Sequence, residues 1–242
     1  MMNQIQKEIE YAEKKFMPKR DNNGLVILSQ ENVAKVEAMI KMDSSYAKSF
    51  DINYQNSSAY LFNKLNGEIY NTIDSKKLKE HSYQTISDIV KAINRENSTR
   101  SSKIEMEEIS DRISNLKIKD FIKYLKEPKN LELFNLISKK TSYPGCSRYR
   151  RNPSLASKFC HYACFYMFDG EIEQDNYSIY DGVLKKVLPL YAEKYGINCD
   201  EKQIEEYSYY REIVDKIIKK SKSNISRNGF DHLLWYCNKG RV

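Results

Sequence analysis

Apolar residues recur at intervals of three and four along most of the chain, which is the spacing of one face of an α-helix. Residues 3–17 carry one such stripe, and another follows Ser29, a residue type that commonly caps a helix N-terminus. The pattern predicts further helices near 57–66, 84–94, 106–116, 117–126, 129–139 and 228–238, and others that begin at Ser154, Asp181 and Asp200.

Polar and helix-breaking stretches divide this pattern. The polar segment 94–103 predicts a flexible loop or a boundary between lobes, and proline and glycine interrupt the helices at 143–147. Residues 177–180 are predicted to be extended, but no βαβ pattern occurs. We therefore expect an all-α fold with a cleft between an N-terminal helical lobe, 1–130, and a second helical region, 131–242, with one compact unit as the alternative.

Composition supports helices and permits a nucleic-acid partner. Glycine (8) and proline (5) are scarce among the 242 residues, whereas 19 tyrosines could pack in a core or stack on bases. The net charge is +7, and no acidic residue lies between Glu132 and Asp169 or in the run 216–227. These runs predict a surface for phosphate groups, with a solvated basic surface as the alternative. Their basic residues are Lys139, Lys140, Arg148, Arg150, Arg151 and Lys158 in the first, and Lys216, Lys219, Lys220, Lys222 and Arg227 in the second.

The hydrophobic residues and the cysteines bear on the protein's location. No run of about 18 apolar residues occurs, and the N-terminus is polar, so we expect a soluble cytoplasmic protein without a membrane partner. The odd number of cysteines suits a reducing compartment. Cys160, His161 and Cys164 lack an evident fourth metal ligand, and we predict buried packing cysteines and no metal site.

Two segments resemble the catalytic part of the helix-hairpin-helix DNA glycosylase superfamily, and most of all its 8-oxoguanine glycosylase branch. The first is Ser154-Leu-Ala-Ser-Lys158-Phe-Cys-His-Tyr162, and the second is Tyr177-Ser-Ile-Tyr-Asp181-Gly-Val. In that family a lysine near the start of one helix is followed, after a loop, by an aspartate that starts the next. The last predicted helix, Phe230-Asp-His-Leu-Leu-Trp235, is similar to the terminal helix of bacterial proteins with this fold. Residues 1–130 resemble no family that we can name.

The resemblance implies a DNA glycosylase, with lyase activity as an open addition, that acts as a monomer on double-stranded DNA without a cofactor. Lys158 would attack the sugar, and Asp181 would stabilise the developing positive charge or activate the attacking group. His161 would orient the lysine or contact the flipped base. Backbone phosphates would be bound by Arg148, Arg150, Arg151, Ser154 and Lys220, and the flipped base by Tyr162, Tyr180 and Trp235. Whether the substrate is genomic or invading DNA, and which base is removed, stay open.

The physical chemistry of such a pair suits this reaction. A lysine amine has a pKa near 10.4 in water, and a helix N-terminus and a desolvated pocket both favour its neutral, nucleophilic form. An aspartate at a helix start can accept backbone N–H bonds and remain ionised.

The chain departs from the family at two points. Many members have a Gly-x-Gly hairpin before the lysine helix, whose amides bind a phosphate, whereas this chain has Arg150-Arg-Asn-Pro-Ser154. Some members hold an iron–sulfur cluster on four cysteines near the C-terminus, whereas only Cys199 and Cys237 lie there, so we predict no cluster.

Two alternative functions remain. Arg227 and His232 resemble the active-site pattern of HEPN ribonucleases, in which the histidine is the acid or base and the arginine holds the scissile phosphate. The third hypothesis is a non-catalytic helical module that binds nucleic acid, in which Lys158 only touches phosphate.

Overall fold

The computed structural model describes residues 17–49, 54–70, 72, 76–97, 99–127, 129, 131–142 and 151–239. Within them the fold is all-α, as predicted, and contains no β-strand beyond two isolated bridges. No helix in these ranges is both long enough and apolar enough to cross a membrane. The ten α-helices are α1 (Gln30–Ser49), α2 (Ser58–Tyr70), α3 (Tyr83–Asn97), α4 (Lys103–Ser114), α5 (Ile118–Lys126), α6 (Glu132–Ser138), α7 (Pro153–Met167), α8 (Gly182–Lys194), α9 (Tyr207–Ser221) and α10 (Arg227–Asn238).

The chain divides into two compact units. The described residues of Met1–Asp51 and Asp181–Val242 form unit 1, and those of Ile52–Tyr180 form unit 2. The boundary near residue 130 that the sequence suggested falls inside unit 2. The polar segment 94–103 also lies inside unit 2, where the Asn94 side-chain oxygen accepts hydrogen bonds from Thr99 and from the backbone of Ser101. Residues 94–97 are the end of α3 and Lys103 begins α4, so the segment connects two helices of one unit and is not a boundary between units.

Unit 2 is built around α7. This helix packs against α2, α3, α5 and α6. Phe159 on α7 is fully buried, and its ring meets those of Phe62 and Phe121 edge to face at centroid distances of 5.3 and 6.4 Å. A helix surrounded in this way must be apolar on most of its circumference, which explains the dense run of aromatic and small residues on α7.

The described part of unit 1 contains four α-helices. The last helix, α10, packs against α1, α8 and α9. Ser29 caps α1 by accepting a hydrogen bond from the Asn32 backbone N–H at 3.2 Å, as the sequence predicts. A Cβ added at Gly229 on α10 would lie 3.1 Å from Val33 of α1, so glycine allows these two helices to approach closely.

Two predicted elements need comment. The helix expected over 3–17 lies outside the described part of the chain, apart from its last residue. The helix expected to begin at Asp200 is wrong in its start: a single 3-10 turn, Gln203–Glu205, precedes α9, which begins at Tyr207. Asp200 precedes that turn, and its carboxylate accepts a hydrogen bond from the backbone N–H of Lys202 at 2.9 Å.

Tyr191 on α8 makes the free energy of unfolding of unit 1 depend on pH in the alkaline range. Its ring is fully buried, its hydroxyl donates to the Val26 carbonyl at 2.7 Å, and burial raises the pKa of its phenol. Above pH ~10 the unfolded chain ionises this phenol while the folded chain keeps it protonated. The unfolded state then binds fewer protons, so the free energy of unfolding must fall as the pH rises.

We therefore expect Tyr191→Phe to lower the free energy of unfolding by roughly 1–3 kcal/mol near pH 8, because the Val26 carbonyl loses its donor. Above pH ~10 the gap between the wild type and the variant should shrink by up to about 1.4 kcal/mol per pH unit. Urea unfolding at both pH values measures the gap. A gap that stays constant from pH 8 to pH 11 would contradict this account.

Candidate functional site

The candidate site begins with helix α7, which carries Lys158. The helix starts at Pro153, and proline suits this first position because its missing N–H would have no partner there. Ten of its 15 residues are buried, so polar groups on it lie in largely apolar surroundings. The sequence predicted this helix one residue later, at Ser154.

Lys158 is 5% exposed, although its side chain ends in an amine. The Nζ atom donates a hydrogen bond to Ser154 Oγ at 3.3 Å, so the amine is directed back toward the N-terminal turn of α7. Lysine is almost never fully buried, because moving an ammonium group out of water costs free energy. Its burial distinguishes Lys158 from the solvated lysines of the surface.

Ser157 connects α7 to the extended segment at the end of unit 2. Its side chain is fully buried, and its Oγ accepts a hydrogen bond from the Tyr180 backbone N–H at 3.0 Å. Because Ser157 precedes Lys158 and Tyr180 precedes Asp181, this bond joins the residues next to both members of the predicted pair. The sequence analysis did not single out Ser157, since nothing in its neighbourhood along the chain indicates a partner 23 positions away.

His161 lies one turn after Lys158 and is fully buried. Its Nδ1 lies 2.8 Å from the Tyr177 carbonyl oxygen, which can only accept, so Nδ1 carries a proton and donates. The imidazole also meets the Tyr162 ring edge to face, at 5.4 Å, and stacks on Phe165 at 6.3 Å. These contacts hold the ring in one orientation and tie α7 to the segment that leads to Asp181.

Asp181 begins α8 in unit 1. Its Oδ1 accepts hydrogen bonds from the backbone N–H groups of Val183 and Leu184, both at 3.0 Å. The predicted N-cap is therefore confirmed. Asp181 is 9% exposed, and its side chain lies at the N-terminal end of α8.

The remaining predicted DNA contacts lie in different surroundings. Arg151 is exposed in unit 2, whereas Arg148 and Arg150 lie outside the described residues. In unit 1, Lys220 donates to the carbonyl oxygens of Tyr195 and Gly196 at 3.2 and 2.9 Å, so its amine stabilises the C-terminal end of α8.

The three aromatic residues predicted to hold a flipped base differ in exposure. Tyr180 is only 3% exposed, while Tyr162 is half-buried and donates from its hydroxyl to the Asn97 side chain at 3.1 Å. Trp235 is half-buried in unit 1, where Lys239 lies over its ring at 4.3 Å. Tyr162 and Tyr180 both lie in unit 2, and of these two predicted base contacts only Tyr162 is partly exposed.

The pair behind the ribonuclease hypothesis lies in unit 1. The Arg227 guanidinium is bound bidentately by Asp215, with Nε and a terminal nitrogen at 2.7 and 2.9 Å from its two oxygens. This carboxylate competes for the donors that the ribonuclease hypothesis assigns to a phosphate. His232 is half-buried on α10.

The cysteines of α7 are buried side by side, one turn apart. Burial raises the pKa of Cys160 well above its usual range, which keeps the thiol protonated and unreactive. Cys164 is also buried, and its thiol contacts the Leu125 carbonyl oxygen. Among the described residues no cluster of three or more His, Cys, Asp and Glu side chains could hold a metal ion.

Comparison with known proteins returned no match for this chain, whether to a family model, a curated protein or a solved structure.

Proposed function

We propose that this protein is a DNA glycosylase with lyase activity, in which Lys158 is the nucleophile and Asp181 is its electrostatic partner. The observation that carries the proposal is the burial of Lys158, a residue only 5% exposed, on the central helix of unit 2. Burying a lysine costs stability, and a buried ionisable residue is for that reason a candidate for chemistry. The resemblance of the two segments around Lys158 and Asp181 to the glycosylase motif supports the same assignment.

The reaction would proceed by substitution at the sugar. The neutral Lys158 amine attacks the anomeric carbon of a flipped nucleotide, and the bond from that carbon to the base breaks. The base leaves with the electron pair of the broken bond and takes up a proton. The amine loses a proton, the bond from the sugar carbon to the ring oxygen breaks, and that oxygen takes up a proton. A Schiff base then joins Nζ to the sugar carbon.

Asp181 would act through its charge. Breaking the glycosidic bond builds positive charge on the sugar, and a carboxylate held by two backbone N–H groups can stabilise that charge without reorganising. Within unit 2, the hydrogen bond between Ser157 and Tyr180 fixes the last residue of the unit against the turn of α7 that carries Lys158.

Borohydride trapping tests the proposal. The reagent reduces a Schiff base to a stable amine and so links the enzyme covalently to its substrate. We expect the wild type to cross-link to duplex oligonucleotides that contain an abasic site or 8-oxoguanine, and Lys158→Gln to form no cross-link. Lys103→Gln is the matched control, because Lys103 is in the same unit and its side chain is 86% exposed; this variant should cross-link like the wild type.

Three results would overturn the proposal. The first is a wild type that forms no cross-link with either substrate. The second is a cross-link that persists at the wild-type level in Lys158→Gln. The third is cleavage of RNA that is lost on His232→Ala, which would favour the ribonuclease hypothesis. Duplex binding without any cross-link or cleavage would identify a binding module.

A further inference from the structure

Two stretches of unit 2, residues 76–80 and 117–123, bring lysines together in a way that the sequence does not reveal. Lys77 and Lys117 form an isolated antiparallel bridge. The backbone hydrogen bonds beside it run from Leu78 N–H to the Leu116 carbonyl and from Ile118 N–H to the Lys76 carbonyl, both at 3.0 Å. Lys77 and Lys117 are therefore a non-hydrogen-bonded pair, the kind in which opposing Cα atoms are only about 4.5 Å apart and side chains are closest.

This placement is electrostatically unfavourable in three respects. Like charges directly opposite each other across a bridge repel. Lys119 and Lys123 are exposed one turn apart on α5, where like charges also repel. Lys117 and Lys119 lie at the N-terminus of α5, whose dipole favours anions over cations.

Few acidic groups offset this charge. Glu80 and Asp120 are the acids within the two stretches, and Glu80 accepts a hydrogen bond from the Lys77 backbone at 3.1 Å. Among the described residues no carboxylate lies within ion-pair distance of the lysines, and Lys76 contacts His81 instead. We call this group the lysine cluster; its members are Lys76, Lys77, Lys79, Lys117, Lys119 and Lys123.

We propose that the lysine cluster binds the phosphate backbone of double-stranded DNA. The choice of DNA as the partner rests on the proposed function. The lysine cluster is a further surface, which neither the resemblance nor the two basic runs in the sequence had indicated. A row of phosphates offers closely spaced negative charges that would relieve all three repulsions at once. The positive end of the α5 dipole also favours an anion at this position.

DNA fits the cluster better than a membrane surface. The cluster belongs to the unit that carries Lys158, so a duplex bound there would be held by the body that contains the proposed nucleophile. Its contacts would be to phosphates alone, so they would position the duplex without reading its sequence.

The test compares two triple variants that remove the same charge from the same unit. The cluster variant is Lys77→Ser, Lys117→Ser and Lys119→Ser. The control variant is Lys64→Ser, Lys91→Ser and Lys103→Ser, whose lysines each pair with a carboxylate on the same helix. Affinity for an undamaged fluorescent duplex is measured by anisotropy between 50 and 200 mM salt, the range in which phosphate contacts are strongly weakened.

We expect the cluster variant to bind DNA roughly 10- to 100-fold more weakly, with the slope of log K against log salt reduced by about 2 to 3, since each phosphate contact contributes about 0.9. The control variant should change far less. The melting temperature of the cluster variant should be no lower than that of the wild type, because like charges have been removed. Equal affinities for the two variants would overturn the inference.

Other results separate this inference from the proposed function. If the cluster variant loses binding to phosphatidylserine vesicles while its duplex affinity is unchanged, the partner is a lipid surface and the inference is wrong. Cluster-dependent duplex binding by a wild type that gives no borohydride cross-link would support the surface and overturn only the catalytic proposal.

Discussion

Asp181→Asn should lower the rate of borohydride trapping by roughly 100- to 1000-fold, which is the effect of removing one preorganised charged or hydrogen-bonding group from a transition state. The helix start should survive the change. The asparagine side-chain oxygen can still accept from Val183 and Leu184, and asparagine caps helices about as well as aspartate. The free energy of unfolding should therefore fall by no more than about 1 kcal/mol, the contribution of a charge to the helix dipole.

The control for this prediction is Asp200→Asn. Asp200 is another aspartate of unit 1, and its carboxylate accepts a hydrogen bond from the backbone N–H of Lys202 at 2.9 Å. It lies outside the glycosylase-like segments. Its variant should trap substrate at the wild-type rate. Single-turnover trapping and urea unfolding on the same preparations measure both effects. A trapping rate in Asp181→Asn that equals the wild-type rate would show that Asp181 is a helix cap and nothing more.

Phe159→Ala should lower the free energy of unfolding by about 3–5 kcal/mol, the range found for removal of a fully buried aromatic ring. Phe159 lies on the central helix of unit 2, between the rings of Phe62 and Phe121, so its loss leaves a cavity that several helices would have to fill together. Domains of ordinary stability have only about 5–15 kcal/mol to lose, so this loss is a large fraction of the total and should lower the melting temperature markedly.

Tyr70→Ala is the matched control, since Tyr70 is an aromatic residue of the same unit whose side chain is largely solvated, at 89% exposure. Its variant should change the unfolding free energy by less than about 0.5 kcal/mol. Thermal and urea unfolding of both variants provide the comparison. A loss of less than 1 kcal/mol in Phe159→Ala would mean that α7 is not the centre of the core.

The helices were largely predictable because their signals are local. The predicted helix near 84–94 is α3, Tyr83–Asn97, and the predicted helix near 228–238 is α10, Arg227–Asn238. Asp181 was recognised as a cap because a capping side chain contacts backbone groups only two and three residues further on. The start expected at Asp200 was wrong because a single 3-10 turn and a helix show similar spacing over so few residues.

The candidate site was predictable only in part. The residue types of Lys158 and Asp181 and their motif could be recognised in the sequence, but the burial of Lys158 could not, since most lysines on a helix are solvated. That burial arises because α2, α3, α5 and α6 surround α7, and these helices are supplied by segments far apart in the chain.

The sequence by itself determined that this protein is helical, where most of its helices begin, and which amine and carboxylate are candidates for chemistry. These properties depend on spacings of two to four residues, over which side chains and backbone groups interact within a single helix. Only the tertiary structure decided that Ser157 bonds to Tyr180, that Lys220 stabilises the end of α8, and that Lys77 lies opposite Lys117. Each of these pairs joins residues more than twenty positions apart, and such contacts form when the whole chain packs its apolar faces together.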